Sequence, residues 1–432
     1  MKVALYLGNV RASQGGGFTF QDEITQALLE SPAKNRHSFV IYGSPASRYP
    51  DPGCGQVEWV PASAWDWGLP GRWLRVCFEP LSFVGDSLQF RSRLQRSLRR
   101  HQAEAVWFVS PEFQPVELPY VYTVWDLQHR IQPWFPEVSA HGRWHFRETR
   151  YRQALSRAAA VIVPNAAGRE ELIQCYGILP ERIKILPHPT PSFALQAAPA
   201  GSCATLEKYG LMPGYLFYPA QFWPHKNHAN LLLALKELRE RDGILLPLVL
   251  TGSDQGNRDY VESLIEHWQL SGQVRILGFV GRQELIELYR HALALSFVSF
   301  FGPENLPPLE AQALGCPVIA AKVRGAQEQL GEGALWVDPA SVQAIAAALK
   351  AVYERPDLRQ DLIRRGRERA SRWTAGQYVQ QVLEWFDAFE PIRRCWPAAG
   401  SVVTAAPATA LSAKAKGEYY PAPGAELHRE RT

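Results

Sequence analysis

The stretch SFVSFFGPENLPPLEAQALGCPVIAA, residues 296–321, restricts the fold more than any other part of this 432-residue chain. Residues 294–299 are apolar enough for a strand covered on both faces, and Gly302-Pro303 breaks it. Pro307 and Pro308 cannot sit mid-helix but suit a first turn, where the missing N–H groups would have no partner anyway. The spacing predicts a helix over 307–314, stopped by Gly315 with Pro317 close behind, and a second buried strand over 318–321. A strand-loop-helix-strand unit of this kind sets its loop and helix N-terminus at the carboxyl edge of a parallel sheet, where ligands of open α/β folds bind. Helix N-termini carry partial positive charge and unpaired N–H groups, so an anion fits there. Glu310, expected in the first turn, gains from that field, and a carboxylate also accepts hydrogen bonds from neutral hydroxyls. Phosphate on the N–H groups and ribose on Glu310 would together suit a nucleotide diphosphate. An ordinary βαβ packing turn is the other reading.

Two domains are expected from the length, each large enough for its own core. Hydrophobic residues make up 46% and charged residues 20%, the balance of a globular chain. A net charge of +4 is too small to argue for nucleic acid. The six cysteines, Cys54, Cys77, Cys175, Cys203, Cys316 and Cys395, show no CxxC spacing, which points to a reducing compartment and no structural zinc. Met1-Lys2 runs straight into a strand without a signal-peptide pattern, and no apolar run approaches a membrane-spanning helix. A cytoplasmic protein is the expectation.

Strands and helices alternate through both halves, which implies an α/β fold of two doubly wound parallel sheets with a cleft between them. The first domain is expected over 1–189, closing at Pro187-His188-Pro189. Residues 190–205, rich in Pro, Ala, Ser and Gly, read as a linker, and 206–375 as the second domain. A helix over 376–390 follows, and 391–432 are expected to form a disordered tail. Residues 45–70 are turn-rich and aromatic and receive no placement.

Candidate chemistry sits in the loops. Gly15-Gly16-Gly17, between a strand over 3–8 and helical periodicity from Phe18, outlines a phosphate-binding turn without the GxGxxG spacing. Asp126 and His129 follow a strand over 120–124 and could orient an acceptor hydroxyl, or serve as a capping Asp and a packed His. Lys226, in AQFWPHKNH ahead of a helix, places a flexible ammonium where a diphosphate would suit it; a solvent-exposed loop lysine is the plainer reading. His225 and His228 flank it without the further ligands a metal would need. Gly252-Ser253 end a strand over 246–251, and their backbone N–H groups can meet a phosphate. The run from Arg91 to His101, RSRLQRSLRRH, fits either an anionic membrane surface or a solvated helix packed through its leucines.

The segment ENLPPLEAQALGCPVIAA resembles the signature of glycosyltransferase family 4, retaining sugar transferases of the two-domain GT-B fold, and its FGP-x-N loop is similar to one subgroup. The likeness covers 215–373 well and the first domain loosely. It implies two Rossmann-like domains facing a central cleft, an acceptor side first and a nucleotide-sugar side second, with the last helix returning to the first domain. In that family two glutamates stand eight residues apart and the second contacts the ribose. The second matches Glu310, while the first falls on Gly302; Glu304 or backbone groups would stand in for it. The turn WDLQHR is similar to the family's HDL turn, with Trp125 in the histidine's place and Asp126 matching. Lys226 matches the lysine that grips the donor diphosphate, and Gln221 stands where an arginine is usual. Gly16 and Gly17 match a glycine loop that lets donor and acceptor approach. Phe279 and Val280, in the GFV turn, match the base-stacking region, and Gly252, Asn305 and Leu306 complete the implied donor contacts.

The resemblance implies a retaining hexosyltransferase moving a sugar from a nucleotide-diphosphate donor to a hydroxyl of a saccharide or lipid-linked acceptor in polysaccharide or glycoconjugate biosynthesis. GDP-mannose is the candidate donor. Lys226 and Glu310 would serve the donor, Asp126 and His129 the acceptor. No cofactor, metal or nucleic acid is expected, because Lys226 and helix N-termini supply the positive charge that Mg²⁺ would otherwise give. Peripheral contact at an inner membrane face would run through residues 91–101. Two alternatives stay open: a sugar-nucleotide epimerase or phosphorylase of the same architecture, and a non-catalytic nucleotide-binding scaffold, suggested by Gly302, Gln221 and Trp125 in place of polar groups.

Overall fold

The computed structural model describes residues 1–8, 15–30, 36–43, 57–60, 93–198 and 203–397. Strands β1 (Lys2–Tyr6), β2 (Ser38–Tyr42), β3 (Val57–Val60), β4 (Ala105–Phe108), β5 (Tyr120–Thr123), β6 (Ala160–Val163) and β7 (Ile183–Ile185) form one sheet in the order β3-β2-β1-β4-β5-β6-β7. Strands β8 (Tyr215–Pro219), β9 (Leu248–Thr251), β10 (Val274–Ile276), β11 (Ala292–Phe297), β12 (Val318–Ala321) and β13 (Leu335–Val337) form a second, in the order β10-β9-β8-β11-β12-β13. The neighbouring strands pair parallel in both, as between β1 and β4 and between β8 and β11. Helices cover both faces, so the central strands are buried end to end; β4, β5, β9 and β12 are wholly so. That double burial is why they read as unbroken apolar runs rather than as alternating ones.

Each sheet reverses its winding at one place, between β1 and β4 in the first and between β8 and β11 in the second. Loops leaving the carboxyl ends of the strands beside such a reversal diverge and open a crevice. Residues 15–17 follow β1, residues 220–226 follow β8, and residues 298–305 follow β11. The topology thus brings the glycine loop, the Lys226 loop and the loop before Glu310 to two facing crevices.

The domains are joined by more than the connection after β7. Helix Ala375–Arg393, opened by a reciprocal cap between Thr374 and Gln377, lies on the first sheet. Its Tyr378, Val382 and Phe386 pack with Phe20 and Ile24 of helix Gly16–Glu30. Thr190 is held by the chain entering that helix, its N–H donating to Trp373 O at 3.2 Å and its hydroxyl to Ala370 O at 2.7 Å.

Several expectations need correction. The last helix does not stop before Pro391 but carries it and runs to Arg393, whose guanidinium is buried and donates to Glu104 O at 3.1 Å. That anchor holds the final turn despite the proline; residues 398–432 lie outside the described residues. The stretch 190–205 contains a helical turn, Ser192–Leu195, fixed where Glu23 accepts from the N–H and hydroxyl of Ser192 at 2.8 and 3.0 Å. Strand β3 lies in the segment given no placement, whose other residues are not described. Arg91 is also outside the described residues. Helix Arg93–Arg100 buries Leu94 and Leu98 in the core and exposes Arg96 and Arg100, while Arg99 pairs with Glu117 at 2.5 Å. None of the described helices is long and apolar enough to cross a membrane.

Candidate active site

A cleft of about 690 Å³ opens between the two sheets, where both crevices face it. Gly16, Gly17, Trp125, Asp126 and His188 line it from the first domain and its exit. Gln221, Lys226, Gly252, Phe279, Val280, Glu304, Asn305, Leu306 and Glu310 line it from the second.

Lys226 ends a short 3-10 turn, Pro224–Lys226, and the next residue, Asn227, takes a left-handed conformation (φ +61°) before helix His228–Asp242. Asn227 tolerates this because its side-chain amide is fixed, donating to Val298 O and Pro339 O at 2.9 and 2.8 Å. The Lys226 carbonyl accepts from Tyr218 Oη at 2.6 Å. Its half-buried side chain crosses the Phe297 ring face at 4.9 Å and ends 3.4 Å from Asn305 Oδ1. Burial brings the ammonium pKa down to about 8, against the opposing pull of Glu137 and Asp126.

Glu310 belongs to helix Leu306–Leu314, which begins one residue earlier than expected and puts the carboxylate beyond the first turn. The helix dipole is therefore not what holds it. Burial pushes its pKa up to about 7, and a 2.8 Å hydrogen bond donated by Tyr289 Oη partly offsets this. Glu304, the other acidic side chain of the loop, is buried with its carboxylate 2.5 Å from the backbone N of His188, which donates to it. Desolvation there raises its pKa well above the usual range.

The remaining second-domain residues shape the wall. Gly252 has φ +138°, and a Cβ there would lie 2.5 Å from Ala220 O, so only glycine fits. Gln221 is braced rather than free: Nε2 donates to Ser253 Oγ at 2.9 Å and Oε1 accepts from Trp223 Nε1 at 3.1 Å. Phe279 is 67% exposed at the rim, a flat apolar face beside buried Val280.

On the first-domain side the glycine loop begins helix Gly16–Glu30. A Cβ on Gly17 would lie 3.0 Å from the Trp125 indole, so this glycine makes room for the tryptophan standing where a histidine was expected. Gly16 faces Leu306 across the cleft. Asp126 lines the cleft with its carboxylate held through Oδ1, to which Gln128 N and Arg147 donate at 2.9 and 2.5 Å. Burial alone would raise its pKa, yet the Arg147 charge and these bonds hold it below the usual value.

His129 is not in the cleft. It is fully buried behind it, its ring stacked on Tyr151 at 5.3 Å and its Nε2 3.1 Å from Tyr176 Oη and 3.3 Å from Glu148. Glu148 also accepts from Arg130 and Arg152, so His129 belongs to a packed polar cluster under the strand-end turn.

The sequence reading did not single out His188, Trp223 or Arg282, which all line the cleft. Arg282 had a local signal, the first helical position after the GFV turn; its guanidinium pairs with Asp22 across the cleft at 3.3 Å. His188, between two prolines, had none. The loop after β11 is itself tied to the first domain and its exit: Gln132 Nε2 donates to Phe300 O at 3.1 Å and Asn165 Nδ2 to Pro303 O at 3.2 Å, beside the His188–Glu304 bond. Glu328, outside the cleft lining, accepts from Ala166 N at 2.9 Å and adds to the same seam. Among the described residues no group of three or more His, Cys, Asp or Glu side chains is placed to hold a metal ion.

Residues 25–191 match the family described as Glycosyltransferase Family 4, and residues 208–369 match Glycosyl transferases group 1. The O-antigen chain mannosyltransferase B of Escherichia coli is 28% identical over 249 residues, covering 57% of this chain and 65% of that protein. The chain thus spans under two thirds of the length of this curated relative. Among solved structures, Anabaena HepE in complex with UDP and glucose superposes with a TM-score of 0.64 at 18% identity, over 90% of this chain and all of that one. WaaG, a glycosyltransferase involved in lipopolysaccharide biosynthesis, gives 0.66 at 16% identity, over 89% of this chain and 99% of that one. These likenesses show the fold. With both domains matched and the two sheets facing one cleft, the chain belongs to the group 1, family 4 glycosyltransferases and has their GT-B architecture.

Proposed function

We propose that the protein is a retaining glycosyltransferase that takes a hexose from a nucleoside-diphosphate donor and passes it to a saccharide hydroxyl. The observation that carries this reading is the convergence of Lys226 and Glu310 on one cleft at the second sheet's reversal point. An ammonium there can meet the departing diphosphate, and a carboxylate already accepting from one hydroxyl can accept from a ribose. Phe279 offers a stacking face for the base. HepE is described with UDP and UDP-glucose, and the E. coli relative is named a mannosyltransferase, so UDP-glucose and GDP-mannose are the donors to test first.

On the acceptor side, Arg147 and Gln128 both donate to Asp126 Oδ1, which fixes the carboxylate and suits a hydrogen-bond acceptor better than a mobile base. Among the described residues lining the cleft, no side-chain nucleophile is paired with an activating base. The acceptor proton is therefore assigned to a phosphate oxygen of the leaving group, with attack on the face it departs from. Lys226 would supply the cationic stabilisation, and we extend the proposal to metal independence.

The test is to incubate the protein with UDP-glucose or GDP-mannose and candidate oligosaccharides, with Mg²⁺ or with EDTA. Release of nucleoside diphosphate with an α-linked product, seen by proton NMR and unchanged by EDTA, is expected. An inverted anomer would refute retention. Donor turnover without an acceptor would favour an epimerase or phosphorylase, and diphosphate binding without turnover of any donor would favour the scaffold.

A further inference from the structure

Gly302 has φ +111°, and a Cβ built on it would lie 2.6 Å from Asn305 Nδ2. The space a side chain would need at Gly302 is already filled by the Asn305 amide, which donates to Gly302 O at 2.8 Å. The amide's other end, Oδ1, accepts from Lys226 Nζ at 3.4 Å. Asn305 is held from behind, its backbone N donating to Gln329 Oε1 and its O accepting from Gln329 Nε2, each at 3.0 Å. The neighbouring carboxylate, Glu304, faces the other way, toward His188 N.

Lys226 consequently touches a neutral amide and the Phe297 ring, and makes no ion pair with any described residue. The charged and titratable groups around it are Asp126, Glu137, His225 and His228. Asp126 is bound by Arg147, and Glu137 accepts from the backbone N–H and lies against the ring of His225. Burial holds both histidines well below neutral pKa, at about 4 and about 3, so neither adds positive charge near pH 7.

We propose that Asn305 is the positioning residue of the leaving-group site: it aims the Lys226 ammonium into the cleft without neutralising it, so that a diphosphate is the ammonium's first close anionic partner. The inference rests on reading the cleft as a nucleoside-diphosphate site. A carboxylate at residue 305 would form a resident ion pair, and the arriving diphosphate would have to share that cation while facing a like charge. A neutral acceptor gives direction without that competition. Bound diphosphate also favours the protonated amine, so binding takes up a proton where the free lysine is deprotonated.

Asn305→Asp changes charge with little change of shape, and Asn305→Ala removes the acceptor without adding charge; circular dichroism checks that both fold. In ligand-free protein the Lys226 amine is titrated by NMR of labelled lysine, its signal assigned by its loss in Lys226→Met. Asn305→Asp should move that titration to higher pH, and Asn305→Ala should not. UDP and GDP binding is then measured by calorimetry between about pH 6 and pH 10, spanning the lysine's range. Wild-type affinity should fall above the lysine's titration, and Asn305→Asp should bind roughly tenfold or more weakly at neutral pH, as a like charge near the diphosphate requires. An unchanged Lys226 titration in Asn305→Asp overturns the inference by itself, whatever the nucleotides do. A shifted titration with no binding of either nucleotide to the wild type overturns the functional reading, and with it the diphosphate as the lysine's partner.

Discussion

The Tyr289 hydroxyl donates to Glu310 Oε2 at 2.8 Å, and this bond lies inside the core beneath the cleft rather than at a helix end. It fixes the carboxylate's orientation while burial keeps its proton affinity high, with a pKa of about 7.

Glu310 therefore titrates near neutral pH. In the folded state it binds its proton more tightly than at the ordinary value of 4.5, so its contribution to stability is full below that value and is lost as pH rises through about 7. Glu310→Gln carries no such term. Between acid and mildly alkaline pH the wild type should lose about 3 kcal/mol relative to Glu310→Gln, read from urea melts of both proteins. Donor KM should rise in Glu310→Gln, and Tyr289→Phe should push the carboxyl pKa further up and raise donor KM near neutral pH.

Lys226→Ala should lower kcat by roughly 10²–10³-fold, about 2.7–4 kcal/mol of transition-state stabilisation, as for loss of one oxyanion donor. In the wild type, kcat/KM for the donor should also decline as pH rises through about 8, where the buried ammonium of the free protein loses its proton. Steady-state assays across pH, with donor concentration varied so that kcat and kcat/KM are read separately, check both; a rate unaffected by Lys226→Ala would remove the lysine from the mechanism.

Gly252→Ala tests the second-domain wall of the cleft. The added Cβ would sit 2.5 Å from Ala220 O on a backbone with φ +138°. A destabilisation of about 1–3 kcal/mol, the usual cost of a forced backbone conformation, should appear in thermal melts. Gly210, also left-handed but with open space around it, should accept alanine at a smaller cost.

His129 distinguishes packing from chemistry. His129→Phe keeps the stack on Tyr151 and loses the contacts with Tyr176 and Glu148. Stability should drop by about 1 kcal/mol, the net worth of a typical hydrogen bond, while kcat/KM per folded molecule stays within about twofold. A large loss of kcat/KM in a folded variant would return His129 to the catalytic group.

Much of this architecture was legible because it is written locally. The strands at reversal points are continuous apolar runs, Gly315 is a left-handed helix stop at φ +78°, and the prolines at 307 and 308 open a helix they could not continue. Lys226 and Glu310 were placed by the strands that precede them. What escaped was set by contacts between distant segments. Nothing near Glu310 in the chain announces Tyr289, and nothing near Gly17 announces the indole of Trp125. Asp126 and His129 lie three residues apart at one strand end, yet Arg147 leaves the first at the cleft while Tyr151 and Glu148 seat the second behind it. The short edge strand β13 and the last turn of the final helix were missed because their stability comes from a neighbour, Ala320 pairing with Trp336 in one case and Arg393 reaching Glu104 in the other.

The ties from Gln132, Asn165 and His188 to residues 300–304 have a thermodynamic corollary. The loop that presents Asn305 to Lys226 is braced by Gln329 of its own domain and also by groups outside that domain. Separating the domains would break those three bonds and loosen the loop, so on the proposed reading nucleotide affinity and domain separation are linked functions. Whatever draws the domains together, a bound acceptor included, must then tighten the donor, and the donor must tighten the acceptor by the same factor.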